Sequence, residues 1–130
     1  MIVDSSALLS ILEQEPDAAR IARALGRDPE CQISAANWLE ASMIMFARHG
    51  AEGVRDLDLL VANYRIDVVD LTAEQARLAR RAFTQYGKGI HPARLNFGDC
   101  FAYALSKDTG EPLLFKGDDF AKTDVLAAAY

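Results

Sequence analysis

The chain has 130 residues, 51% of them hydrophobic, which suits one compact domain that needs no disulfide staples. Its formal net charge of −5 excludes a strongly basic surface, and no apolar run is long enough to span a membrane. The start MIVDSS lacks a signal-peptide pattern, so we expect a cytoplasmic protein with residues 1–130 in a single domain. Cys31 and Cys100 lie in apolar runs without the spacing of a zinc site, which predicts buried, reduced thiols.

Short apolar strands alternate with helices along the chain. The predicted strands cover residues 1–4, 31–34, 66–70 and 112–115, and DVLAAA near the C-terminus offers a fifth. The predicted helices cover a segment ending near residue 13 and residues 17–25, 36–48, 52–64, 73–86 and 99–107. Gly26, Gly50 and Gly87 are predicted helix stops, and Thr72 with Gln75 predicts a capping box. Apolar strands that alternate with helices indicate an α/β fold with a parallel sheet.

Acidic residues fall where such a sheet binds its ligands, outside the carboxyl ends of the strands. Asp4 ends the first strand, and Asp118 and Asp119 follow the strand PLLF. Asp99 lies where an apolar helix begins, and Glu40 lies near the apolar stripe of its helix. Carboxylates gathered at one edge would repel one another, and a divalent ion removes that repulsion. The pattern therefore indicates a site for an ion such as Mg²⁺ or Mn²⁺, which prefer oxygen ligands.

Four motifs in this order and spacing, MIVDSSAL, NWLEA, LNFGDCFAYALS and LLFKGDDF, resemble those of the PIN-domain family. The chain is most similar to the ribonuclease toxins of VapBC toxin–antitoxin modules, over essentially its whole length. The resemblance implies a three-layer α/β/α sandwich with a central, mainly parallel sheet of four to five short strands. It also implies that Asp4, Glu40, Asp99 and Asp118 hold Mg²⁺ or Mn²⁺, with Asp119 as a substitute for Asp118, and that water activated by the metal cleaves RNA.

The same resemblance implies partners and supporting residues. Ser6, or less favourably Ser5, would support the metal site. The protein would form a homodimer and bind a VapB-type antitoxin, whose tail would bring a basic side chain into the acidic cleft. The four acids account for much of the net charge, and a bound cation offsets them locally, so an acidic chain remains compatible with an RNA substrate.

Other polar residues have a structural and a functional interpretation. Asn96 either fixes its loop through backbone hydrogen bonds or orients Asp99. Arg94 and Lys116, with Lys88 and His91 nearby, are either solvated charges or contacts for RNA phosphates. His91 is not needed as a base if a metal activates the water.

Two further groups of side chains suggest surfaces for partners. The basic group on the helix after residue 72 is interpreted as solvated or facing the antitoxin, and consists of Arg77, Arg80 and Arg81. Large apolar residues surround the helix that carries Glu40 and cannot all face the sheet: Trp38, Met43, Met45 and Phe46. Those outside the core are predicted to form a dimer or antitoxin surface.

Two rival functions stay open at this point. A phosphatase-like α/β phosphotransfer enzyme, or a receiver domain, also carries an acid after its first strand. A phosphatase of that type needs DxD there, whereas Asp4 is followed by Ser5 and Ser6. A receiver domain has further acids in its first loop, which this chain lacks, although Asp70 lies at the end of a predicted strand. The second rival is a catalytically inactive PIN-fold binding domain, against which the presence of all four acids argues.

Overall fold

The computed structural model describes residues 1–130 and contains a four-stranded, all-parallel sheet. The strands are β1 (Ile2–Val3), β2 (Gln32–Ser34), β3 (Asp67–Val69) and β4 (Leu113–Leu114), in the spatial order β3-β2-β1-β4. The predicted parallel sheet is confirmed. The fifth predicted strand, in DVLAAA, is reduced to a single bridge between Leu113 and Ala127.

Five helices cover the sheet, together with a short 3₁₀ turn at Phe120–Lys122. The helices are α1 (Ser5–Leu12), α2 (Ala18–Arg27), α3 (Ala35–Asn63), α4 (Ala73–Tyr86) and α5 (Phe97–Thr109). The predicted stop at Gly26 was wrong, because Gly26 lies inside α2. The predicted stop at Gly50 is confirmed: its φ of 65° and ψ of −150° are non-helical and interrupt α3, in a region that essentially only glycine adopts. The two helices predicted over 36–48 and 52–64 are thus the two arms of one kinked helix.

The capping box predicted for α4 is only half formed. The Thr72 hydroxyl accepts a hydrogen bond from the Gln75 backbone N–H at 3.1 Å, as expected of an N-cap. The Gln75 side chain, however, donates to Asp108 on α5 at 3.0 Å instead of turning back to the cap. A tertiary contact has therefore replaced the second hydrogen bond of the box.

The sheet separates two hydrophobic clusters, so the molecule has three layers. Successive residues of a strand point to opposite faces. Val3 and Leu114 therefore pack with α1, α2 and α3 on one side, while Ile2 and Leu113 pack with α4 and α5 on the other. Cys31 and Cys100 are buried and unpaired, one in each cluster. None of the helices combines the length and hydropathy that crossing a membrane requires.

Candidate active site

Asp4 lies at the middle of the carboxyl edge of the sheet, because β1 is flanked by β2 and β4. It is the N-cap of α1, and its Oδ2 accepts a hydrogen bond from the Ser6 backbone N–H at 2.9 Å. The side chain is almost completely buried, and Oδ1 has no hydrogen-bond partner. Burial raises the pKa of Asp4 to about 6, against the hydrogen bonds from Ser6, and the charge of Glu40 raises it further.

Glu40 comes to the same edge from α3, which begins directly after β2. Its side chain is half-buried, and Oε1 accepts a hydrogen bond from the Ser5 hydroxyl at the start of α1. Glu40 is therefore turned towards the sheet edge and is not a solvated residue on the outer face of the helix. Ser5 and Ser6 divide the supporting role predicted for this pair: Ser5 holds Glu40, whereas Ser6 holds Asp4.

Asp99 lies in the first turn of α5 and is fixed by a complete capping box. The Asn96 side chain accepts from the Asp99 backbone N–H at 2.9 Å, and Asp99 Oδ2 accepts from the Asn96 backbone N–H at 2.8 Å. The N-cap is therefore Asn96, and Asp99 occupies the third position of the helix. Asn96 therefore fixes its loop and orients Asp99 at the same time. The structural and the functional interpretation of Asn96 are compatible, because the same capping box serves both.

The acids act on one another electrostatically. Burial raises the pKa of Asp99 to about 7, against the hydrogen bond from the Asn96 backbone. The charges of Asp4, Asp119 and Glu40 raise it further. Two contacts show that three of the acids are neighbours: Glu40 is bonded to Ser5, the residue after Asp4, and packs against Gly98, the residue before Asp99.

Asp118 and its substitute Asp119 are the two candidates for the fourth acid. Asp118 and Asp119 are both exposed in the loop after β4. Asp119 raises the pKa of Asp99, and Asp118 is not among the groups that contribute most to this shift. Asp119 precedes the 3₁₀ turn without capping it through its side chain, so its carboxylate remains free for other contacts.

These residues fit a divalent cation by their chemistry. The donors are carboxylate oxygens, and one of them, Asp4 Oδ1, is buried without a partner. No three Asp, Glu, His or Cys side chains lie close enough together to ligate one ion directly. An ion that keeps several waters, as Mg²⁺ does, needs only one or two direct carboxylate contacts.

The predicted phosphate contacts have different surroundings. Lys116 forms an ion pair with Glu15, and its backbone N–H donates to the Ser6 hydroxyl at 3.0 Å. Arg94 is exposed and has no ion pair, as is true of Lys88. His91 accepts a hydrogen bond from the Ala93 N–H at 3.0 Å, and its ring packs against that of Tyr86. The helix arginines are also exposed and without ion pairs: Arg77, Arg80 and Arg81.

Two site residues were missed from the sequence. Asn37 is fully buried and donates from Nδ2 to the carbonyl oxygen of Gly98 at 2.9 Å. It precedes Glu40 by three residues, which places both on one face of α3, and this spacing was the available signal. Gly98 touches the Glu40 carboxylate, a contact that spacing alone does not indicate because the two residues are 58 positions apart.

The large apolar residues of α3 divide as the sequence suggested, with one addition. Met45 is buried and Trp38 packs at the edge of the core, whereas Met43 and Phe46 are 63% and 62% exposed. Leu39 is exposed as well and completes a stripe of Leu39, Met43 and Phe46 at helical spacing.

Comparison with known proteins agrees with this combination of fold and acidic edge. The sequence model of the PIN domain matches residues 1–126. Ribonuclease VapC30 from Mycobacterium tuberculosis is 46% identical over 129 residues, which cover 99% of this chain and 98% of that protein. The chain therefore belongs to the PIN-domain family, and within it to the VapC ribonucleases. The resemblance inferred from the four motifs is confirmed.

Solved structures show the same fold at lower sequence identity. The crystal structure of Mycobacterium tuberculosis VapC20, a toxin that cleaves the sarcin–ricin loop, superposes with a TM-score of 0.80 at 15% identity, over 99% of this chain and 98% of that one. VapBC2 from Rickettsia felis, bound to a DNA fragment from its promoter, gives 0.73 at 14% identity, over 97% and 94%. PIN-domain VapC ribonucleases generally depend on a divalent metal ion.

Proposed function

We propose that this ribonuclease is the toxin of a type II toxin–antitoxin module, an endoribonuclease that depends on Mg²⁺ or Mn²⁺ and acts in the cytoplasm as a single PIN domain. Asp4, Glu40, Asp99 and Asp119 form its metal-binding and catalytic site. The observation that carries the assignment is the buried, unpartnered Oδ1 of Asp4 at the carboxyl edge of the sheet, with Glu40 and Asp99 held nearby through Ser5 and Gly98. Repulsion among such carboxylates destabilises the protein without a cation, and a bound cation removes that repulsion.

Three of the four acids have a neighbour that restrains them. The Ser6 N–H fixes Asp4, the Ser5 hydroxyl holds Glu40, and the capping box holds Asp99. A divalent cation bound here would activate a water for attack on a phosphodiester and neutralise charge on the phosphate. The protein's part is to present the carboxylates in a fixed arrangement, so that little rearrangement is needed when RNA binds.

The exposed basic residues suggest where the RNA backbone lies. Arg94 is free, and it lies two residues before Asn96, beside the first turn of α5. Lys116 is engaged by Glu15. We therefore favour Arg94 over Lys116 as a contact for an RNA phosphate, since a side chain without an intramolecular partner can reach the ligand without breaking an ion pair.

Two apolar surfaces support the proposed protein partners, a VapB-type antitoxin and a second copy of the chain. One is the stripe of Leu39, Met43 and Phe46 on α3. The other is a groove of about 630 Å³ between α4 and α5, with Phe83, Phe97 and Phe101 in its lining. Exposed apolar surfaces of this kind often mark interfaces. A VapB–VapC assembly is among the structurally similar proteins.

Purified, antitoxin-free protein should cut total bacterial RNA into discrete fragments when Mg²⁺ or Mn²⁺ is present and leave it intact in EDTA. Fragment ends mapped by sequencing would identify the RNA and the cleavage position. Two results together would contradict the nuclease assignment: folded protein leaves every RNA intact with either metal, and its expression does not slow the growth of a host that lacks the antitoxin. The alternative of a catalytically inactive binding domain would then replace it.

The two adjacent acids after β4 give a paired prediction. We expect Asp119→Asn to reduce the cleavage rate by roughly 10- to 100-fold, the loss typical of perturbing a metal site, because its charge acts on Asp99. Asp118→Asn, one residue away and equally exposed, should stay within about threefold of the wild type, as expected for a surface change. Rates measured side by side decide this, and the reverse order would restore Asp118 as the fourth acid.

A further inference from the structure

The helices that carry Glu40 and Asp99 come from distant parts of the chain and lie on different sides of the sheet. α3 packs mainly with α1, and α5 mainly with α4. Near the sheet edge α3 and α5 also meet each other. The distance between the two carboxylates therefore depends on how the first turns of these two helices are joined.

One hydrogen bond joins them. Asn37 Nδ2 donates to the carbonyl oxygen of Gly98 at 2.9 Å, and no other hydrogen bond connects α3 with α5. Asn37 is fully buried, and its Oδ1 has no partner. A buried amide with an unpaired oxygen is unfavourable for folding, and an apolar side chain would avoid that penalty. The presence of an amide here therefore indicates that Asn37 serves to hold α5 in position against α3.

Gly98 makes the second contact between the same two helices. A Cβ atom at this position would lie 1.9 Å from Glu40 Oε2 and 2.5 Å from its Cδ. All three nearest atoms belong to the Glu40 carboxyl group. The space that a side chain would need is therefore occupied by the carboxylate itself, which rests directly on the backbone of α5, one residue before Asp99.

We propose that Asn37 is a positioning residue and that the absence of a side chain at Gly98 provides the space in which the Glu40 carboxylate packs. Together, the two residues set the spacing between Glu40 and Asp99. Asn37 draws the first turn of α5 against α3, and the missing side chain of Gly98 lets Glu40 lie next to Asp99. The inference rests on the proposed function only in taking Glu40 and Asp99 as acids of the site. The packing itself is independent of the reaction.

Single-turnover cleavage of total RNA with excess protein and Mn²⁺ tests the effect on the site. A displacement of about 1 Å in a reacting group costs roughly 10²-fold in rate. We therefore expect Asn37→Ala and Gly98→Ala to lower the maximal rate by roughly 10- to 100-fold. A variant that is merely less folded would reach the wild-type maximal rate at a higher protein concentration, so the maximal rate separates positioning from structural damage.

The chain offers matched controls for both variants. Gly26 also lies inside a helix, and its nearest neighbouring atom would be 3.9 Å from an added Cβ, so Gly26→Ala should keep the wild-type rate. Asn63 is exposed at the end of α3, and Asn63→Ala should do the same. If Asn37→Ala and Gly98→Ala match these controls while Asp99→Asn is inactive, the positioning role is refuted and the nuclease assignment stands.

Thermal unfolding gives a readout that needs no activity. Alanine favours a helix over glycine, so Gly98→Ala should raise the unfolding midpoint in a Glu40→Ala background, where the carboxylate is absent. With Glu40 present, the same change should lower the midpoint or fail to raise it. An equal shift in both backgrounds would overturn the contact. Non-additive shifts in a protein that cuts no RNA would support the contact and count only against the proposed function.

Discussion

Asp99→Asn should lower metal-dependent RNA cleavage by roughly 10³-fold, since metal-ion catalysis supplies several kcal/mol of transition-state stabilisation. The variant should remain folded because asparagine is nearly isosteric. Its side-chain oxygen can still accept from the Asn96 backbone N–H, so the capping box keeps both hydrogen bonds. The loss would then be chemical and would follow from the missing charge beside Asp4, Asp119 and Glu40.

Asp4→Asn should have the same effect on cleavage for the same reason. Asparagine is as good an N-cap as aspartate, so the hydrogen bond from Ser6 is kept. Asp70→Asn is the matched control, since Asp70 also follows a strand of this sheet but is exposed at the edge strand β3. Initial rates on total RNA with Mn²⁺ measure all three. Activity of either Asn variant near that of the Asp70 control would remove that residue from the site.

Without metal, the protein should become less stable as the pH rises from 5 to 8. Asp4 and Asp99 have pKa values raised from 3.8 to about 6 and about 7, so folding favours their protonated forms. Their contribution to stability is fully present below the unfolded value near 3.8 and is lost as the pH rises through the folded values. For Asp4 alone, about two pKa units correspond to roughly 3 kcal/mol.

Other carboxylates act in the opposite direction but at lower pH. Hydrogen bonds and ion pairs lower the pKa values of a second set of acids: Glu13, Glu15, Asp28 and Asp124. Their contribution to stability is present above the pKa values of the unfolded chain. It is lost only as the pH falls through the lowered pKa values of the folded protein. These four acids therefore contribute little to the change in stability between pH 5 and 8.

Urea unfolding in EDTA at several pH values checks this expectation. Asp4→Asn should flatten the profile and make the protein more stable than the wild type at pH 8. Mg²⁺ should restore stability at pH 8 in the wild type, since a ligand that binds only the folded state at 100 times its Kd adds about 2.7 kcal/mol. A flat profile for the metal-free wild type would contradict the burial of these charges.

The sequence predicted the parts of the fold that follow from periodicity and from strand ends. The alternation of apolar strands with helices predicted the parallel sheet, and the acids after β1 and β4 became candidates because they follow strands. The stop predicted at Gly50 is confirmed, because its non-helical backbone ends the first arm of α3. Local sequence does not show that the second arm follows directly after a kink, since that depends on how the second arm packs.

The supporting contacts were beyond sequence reasoning for a related reason. The Lys116–Glu15 ion pair, the Asn37–Gly98 hydrogen bond and the bond from Gln75 to Asp108 all join residues more than 30 positions apart. Two of these contacts involve residues that the sequence interpreted otherwise: Lys116 as a solvated charge or a contact for RNA phosphates, and Gln75 as half of a capping box. Only the three-dimensional arrangement decides between a local partner and a distant one.

The pairing of β1 with β4 affects when the acidic site forms during synthesis. Ile2 aligns with Leu113 and Val3 with Leu114, so the first strand is completed by one of the last. A nascent chain folds only with the residues that have left the ribosome, and contacts between distant residues form slowly. Asp4 and Glu40 are therefore translated long before Asp99 and Asp119 can join them. A growing or prematurely terminated chain that stops before β4 therefore lacks both the last strand beside β1 and the acids that follow it.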